Sequence, residues 1–119
     1  MQVINGKKDG FIGEDIIYIG RYNSSYGLDP SPLANRYRTK QYGSLKIVLE
    51  KYKQWIFSVY ACKEGPAYEE LMRLVELHRQ GKDIKLACWC KPKACHGDII
   101  KQVVEFIVEY ERSHRDMER

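Results

Sequence analysis

The apolar positions of this chain switch between two periods. "DIIYIG", 15–20, is an almost unbroken apolar run rich in β-branched and aromatic residues. Such a run predicts a strand buried on both faces. "MQVIN" at 1–5 and "DIKLACW", with its strand from about Ile84 to Cys88, have the same character. Elsewhere the period is helical. Leu45, Val48, Leu49, Tyr52, Trp55, Ile56 and Val59 predict a helix over 45–60, with Ser44 as its N-cap. Leu71, Leu74, Val75 and His78 predict a second, from about Pro66 or Ala67 to Gln80, stopped by Gly81. A third runs from about Gly97 to Arg112 on Ile99, Ile100, Val103, Val104, Phe106, Ile107 and Tyr110. "GKKDG", 6–10, reads as a turn, and a charged tail follows from about 112.

The stretch from Arg21 to Gly43 has neither period. A loop of this length is unusual in a small domain, and such loops are commonly functional. Tyr22, Tyr26, Tyr37 and Tyr42, with Leu28 and Leu33, give it enough apolar surface to pack. The order is therefore strand, strand, long loop, two helices, strand, turn, helix. Strands joined through helices imply parallel crossovers. The expectation is one α/β domain over 1–119, a small two- or three-layer Rossmann-like unit. It would have a short, mainly parallel sheet and about three helices. Open sheets of this kind bind ligands outside the carboxyl ends of their strands. Two segments converge there: Arg21 with the "SPLANRYR" loop, and the turn 88–98.

Composition narrows the class. With 44% hydrophobic and 30% charged residues the chain can build an ordinary globular core, so a disordered or fibrous protein is excluded. The net charge of +4 is compatible with an anionic ligand, but the 16 acidic residues and the lack of a basic helix face make nucleic acid a weaker third reading. Arg21, Arg36, Arg38 and Lys40 lie in a segment whose sole acid is Asp29. No apolar h-region opens the chain and no run has the ~20 residues of a membrane span, so the expectation is a cytoplasmic protein, in the host cell if phage-encoded, with no membrane partner. Thiols there stay reduced, which argues against a structural disulfide.

The chemistry concentrates in "CWCKPKACHGD", 88–98. Three readings stand side by side. As a zinc module, Cys88, Cys90, Cys95 and His96 supply the ligands, although C-x-C spacing and the adjacency of Cys95 and His96 fit one tetrahedral ion poorly. As a reactive site, Cys95 and His96 start a helix whose dipole lowers a thiol pKa, His96 acts as acid or base, and Asp98 caps the helix or orients the imidazole. As structure, Cys88 is a small buried hydrophobe, Trp89 packs over the turn, and the helix start, with Gly97, binds an anion through its backbone.

The pieces "YIGR", "SPLANRY" and "LACWCKPKACHGDII" resemble the domain of unknown function 4326 family of phages and bacteria. The matching positions are Ile19-Gly20-Arg21, Ser31-Pro32-Leu33-Ala34-Asn35, Tyr52 with Trp55, and 88–98. Ala34 and Arg36-Tyr37 depart from the family's Gly and Pro-Phe. The resemblance implies a phage or mobile-element origin and assigns no reaction. The leading expectation is a site for a small anionic, nucleotide-like ligand, supporting hydrolysis or transfer. Its contacts are Arg21, Ser31, Asn35, Arg36, Trp89, Cys90 and Gly97, and its chemical groups are His96, Cys95 and Asp98. The alternative is a phage protein that binds and inhibits a host protein through the Tyr/Arg-rich loop. A zinc module is the second alternative, and no cofactor is required by the first.

Overall fold

All three predicted strands form, and all are parallel. The structure, a computed structural model, describes residues 1–118, with side chains through His114. β1 (Gln2–Asn5) and β2 (Ile16–Tyr18) flank β3 (Lys85–Cys88), giving the order β1-β3-β2. The last strand in sequence is thus central, and the carboxyl ends of β1 and β2 lie on either side of its own. The register aligns Val3 with Leu86 and Ile17, and Ile4 with Ala87 and Tyr18. Because side chains alternate across a sheet, these two rows face opposite ways.

The two faces are covered differently. Val3, Ile17, Leu86 and Cys88 join a core built with α3 (Leu45–Cys62), α4 (Pro66–Arg79) and α5 (His96–Glu118). Ile4, Ile16, Tyr18 and Ala87 pack instead on Phe11, Leu28 and Trp89, from the β1–β2 connection, the long loop and the turn after β3. Helices therefore form one layer and aromatic loops cap the other face of the sheet. The β1–β2 connection contains one helical turn, α1 (Gly6–Asp9), where the sequence predicts a plain turn. The Asn5 side chain caps it by accepting from the Lys7 amide at 2.9 Å.

The long loop is ordered by specific bonds. It carries a 3₁₀ turn, Ser24–Tyr26, and one helical turn, α2 (Thr39–Tyr42), neither visible as a period in the sequence because each is too short to repeat one. Tyr52, fully buried on α3, donates to the Leu33 carbonyl at 2.6 Å. Burial raises the phenol's pKa, which keeps it a donor. Leu33 itself is fully buried, so the loop enters the core at this point.

Two boundaries differ from expectation. β2 stops at Tyr18, although Ile19 still donates to the Ala87 carbonyl at 3.1 Å. The expected charged tail from 112 instead continues α5 to Glu118. Helical spacing persists there through Phe106, Tyr110 and His114, whose rings stack in sequence, with His114 Nδ1 donating to the Tyr110 carbonyl at 3.1 Å. Ser44 caps α3 as expected, accepting from Ile47 N at 3.2 Å, and Gly81 follows α4 with φ of 78°.

Tyr52→Phe removes the phenolic donor to the Leu33 carbonyl while keeping the ring. It is expected to cost ~1–3 kcal/mol in urea unfolding and to raise the proteolytic sensitivity of the 21–43 loop. A variant as stable and as resistant as the parent would contradict this anchoring role.

Candidate ligand-binding site

The carboxyl ends of β2 and β3 open onto a cleft of about 520 Å³, within the range of small-ligand sites. β2 delivers Gly20 and Arg21, the β3 turn delivers Trp89, Cys90, Cys95 and His96, and the long loop closes the rim with Asn35, Tyr37, Arg38 and Lys40. Leu45, Val48 and Leu49 of α3 supply an apolar wall. The convergence expected from topology is therefore present.

Arg21 is positioned by the loop it helps to hold. Its Nε donates to the Asn35 carbonyl at 2.8 Å and its Nη2 to the Tyr37 carbonyl at 3.2 Å. A guanidinium has five N–H donors, so most remain for a ligand. The Arg21 pKa lies below its ordinary value, first through burial and second through repulsion from Arg38. Two cations are thus held close together. Lys40 adds a third, and no carboxylate lines the cleft. Among the described residues, none of Arg21, Arg38 and Lys40 takes part in an ion pair, whereas five of the six ion pairs are made by cations elsewhere on the chain and the sixth by Lys91.

The back of the cleft is aromatic. The Trp89 indole donates to Tyr18 Oη at 2.9 Å, and Tyr18 Oη donates to the Arg21 carbonyl at 2.5 Å. Phe11 and Tyr26 pack on the indole with ring centroids at 4.3 and 5.1 Å. Gly20 is required by this arrangement, since a Cβ there would fall 2.3 Å from Tyr18 Oη. Trp89 is thereby a fixed surface. Tyr22, 67% exposed, is the free ring at the rim.

His96 opens α5 and is only 7% exposed. Its Nε2–H donates to the Ile19 carbonyl at 2.7 Å, which leaves Nδ1 as the acceptor. Burial lowers its pKa, so the imidazole is neutral. Asp98 does not bond this ring. Its Oδ2 accepts from the Cys95 amide at 3.1 Å, an N-terminal cap, and its Oδ1 pairs with Lys91 Nζ at 2.5 Å. The Asn5 side chain donates to the Lys91 carbonyl at 2.8 Å and ties the same turn to β1.

The cysteines lie together. Cys88 and Cys95 are buried with their sulfurs 3.4 Å apart, and the Cys90 thiol is exposed in the cleft lining. Hydrogen bonds from its two neighbours lower the pKa of Cys88, while Cys95, donating to that sulfur, is pushed far up. The pKa of Cys95, the nucleophile expected from the helix start, is thus moved up and not down. Among the described residues no group of three or more His, Cys, Asp or Glu is disposed to hold a metal ion, and the imidazole Nε2 of His96 is already engaged by Ile19.

Of the other expected contacts, Asn35 lines the cleft, and its Oδ1 accepts from Tyr37 N at 2.9 Å to shape the rim. Ser31 does not line it; its Oγ accepts from Leu33 N at 3.1 Å in a local turn beside a separate depression. Arg36 turns away and lies over the Trp55 ring at 5.3 Å. Gly97 serves packing, because a Cβ there would meet Val3 and Ile19 side chains at 2.8 Å. Tyr18, Tyr22, Thr39 and Lys40 are site residues that sequence reasoning left out of the contact set. Lys40 carries a signal as part of the acid-poor segment 21–40, and Tyr22 carries one as a tyrosine of the long loop, whereas Tyr18 and Thr39 carry none.

These features define a small parallel α/β domain with a cation-lined cleft at its strand ends. The chain belongs to the family described as Domain of unknown function (DUF4326), whose model matches residues 4–106. It is similar to "Uncharacterized protein R718" of Acanthamoeba polyphaga mimivirus, with 28% identity over 118 residues, covering 91% of this chain and 81% of that protein. No solved structure matches the chain.

The His96 environment generates a pH dependence. A folded-state pKa below the unfolded value of about 6.5 means that the unfolded chain binds the extra proton first. Stability therefore falls as pH drops below that value and is unaffected by this group above it. His96→Gln, whose amide can still donate to Ile19, is expected to flatten the fall of the urea midpoint between pH 7.5 and 5.5, leaving only the background from the other groups. An identical pH profile in variant and parent would contradict the neutral, buried imidazole.

Proposed function

We propose that the cleft binds a small phosphate-bearing, nucleotide-like ligand and that the protein acts on it by hydrolysis or transfer. The observation that carries this reading is the set of three cations, Arg21, Arg38 and Lys40, lining one nucleotide-sized cleft with no carboxylate among them. Cations held close without a counter-charge repel each other, and a phosphate removes that repulsion while forming charge-assisted hydrogen bonds. Tyr22 and the Trp89 edge offer aromatic surface to a base, and the α3 wall accepts its apolar rim. His96 Nδ1 is the proton acceptor for a water or hydroxyl attacking a phosphate or glycosidic bond. Cys95 is buried against Cys88, and Asp98 contributes by fixing the turn.

A second reading has its own support. Tyr22 and Tyr26 are 67% and 49% exposed, Tyr22 shares its cleft with Arg38, and a relative is a viral protein. Exposed tyrosine and arginine make good protein anchors, so the same loop suits a phage protein that binds and inhibits a host protein.

Isothermal titration with nucleoside mono-, di- and triphosphates, the parent nucleosides and inorganic pyrophosphate separates these readings. The ligand reading expects phosphate-dependent binding that weakens with salt. Arg38→Ala is expected to lose about tenfold or more in affinity, the equivalent of one charge-assisted bond, without loss of fold. Arg38 is the chosen position because Arg21 also holds the loop carbonyls. Absence of binding by every phosphate compound at millimolar concentration, or unchanged affinity in Arg38→Ala, would overturn the ligand reading.

A further inference from the structure

The thiol cluster is left unused by the ligand reading, and its geometry has a chemistry of its own. At the end of β3 two buried sulfurs, those of Cys88 and Cys95, lie 3.4 Å apart, and Cys90, two residues after Cys88, is exposed and lines the cleft together with Cys95. A thiol needs a partner thiol close by to form a disulfide, whose bond is only about 2.05 Å long. Cys88 and Cys95 are such partners for each other. The exposed member, Cys90, lines the open cleft from which solutes arrive, and Arg21 lines the same cleft. The fourth cysteine, Cys62, is exposed at the end of α3, distant in sequence from the other three.

We propose that Cys90, Cys88 and Cys95 form a peroxide-reactive thiol site, with Cys90 as the sulfur that meets the oxidant and a buried neighbour as the resolving thiol. The reaction balances in two steps. The Cys90 sulfur attacks a hydroperoxide oxygen, the O–O bond breaks, and Cys90 becomes a sulfenic acid while the hydroperoxide leaves as water or an alcohol. The sulfur of Cys88 or Cys95 then attacks the sulfenic sulfur, the S–O bond breaks, hydroxide leaves and takes up the proton of the resolving thiol as water, and a disulfide remains. Two thiols are oxidised for each peroxide reduced. The third thiol stays beside the new disulfide and can exchange with it. The product constrains the turn that supplies Cys90, Cys95 and His96 to the cleft, so oxidation remodels the cleft from its floor. This inference does not depend on which ligand the cleft takes.

The test uses the full chain carrying Cys62→Ser, which removes the isolated exposed thiol and with it intermolecular disulfides. The reduced protein is treated with hydrogen peroxide in its native state, then denatured and alkylated, and intact mass and peptide mapping are read. The expected result is the loss of two hydrogen atoms, one remaining alkylatable thiol, a disulfide that includes Cys90 or has passed to Cys88–Cys95, and full reversal by dithiothreitol. Cys90→Ser, at an exposed position where folding is not at risk, is expected to slow disulfide formation by about tenfold or more because the two remaining thiols are shielded from the oxidant. Oxidation of Cys90 only to irreversible oxygen adducts, with both buried thiols still alkylatable, would overturn the proposal. So would disulfide formation in Cys90→Ser as fast as in the parent.

Discussion

The hydrogen bond from the His96 imidazole to the Ile19 carbonyl is the contact on which the site depends. Ile19 is the first residue beyond β2, and His96 is the first of α5. Their bond joins the end of an edge strand to the start of the helix that packs on β1 and β3. The same residue, Ile19, still donates its amide to Ala87. It is therefore held on both sides, by the central strand and by the helix. Arg21 follows two residues later and is aimed into the cleft by that fixed exit. A neutral ring is the form that makes this bond while leaving a lone pair on Nδ1, and the low exposure of His96 selects that form.

The placement of β3 explains why chemistry gathers at this edge. A strand added last, between two earlier ones, puts its outgoing turn between their outgoing segments. The long loop after β2 and the cysteine turn after β3 thus have to share one side of the sheet. Each is pinned independently: the loop by Tyr52 at Leu33 and by Arg21 at Asn35 and Tyr37, the turn by Asn5 at Lys91 and by Asp98 at Cys95. A cleft whose two walls are tied down separately is preorganised, which reduces the ordering that a ligand would otherwise impose. The repulsion between Arg21 and Arg38 is tolerated within it because solvent and the loop carbonyls share the charge.

The fold was legible from the sequence wherever one period ran long enough. The apolar stripes of α3, α4 and α5 and the dense apolar runs of the strands gave the elements and, through the crossover rule, a parallel sheet. The strand order did not follow, because nothing local records which neighbours a strand takes. Within the site, Arg21, Asn35, Trp89, Cys90, Cys95 and His96 were found from motif and topology, and the cleft brings them together. Ser31, Arg36 and Gly97 were included for their residue type, yet each satisfies a local demand: a turn amide, an aromatic ring, a tight helix–strand contact. Asp98 was assigned to the imidazole by proximity in sequence, while a backbone carbonyl nearly eighty residues away holds that ring. Long-range partners of this kind are invisible to spacing.

The cation-lined cleft at the ends of β2 and β3 is the proposed meeting place with an anionic, nucleotide-like ligand. Its most direct measurement is a two-dimensional amide NMR titration with a nucleoside diphosphate. The account predicts saturable shifts confined to 19–23, 35–40 and 88–98, with the His96 ring nitrogens moving alongside. Shifts centred on α4 or on the outer face of α5, or none at saturating ligand, would contradict it.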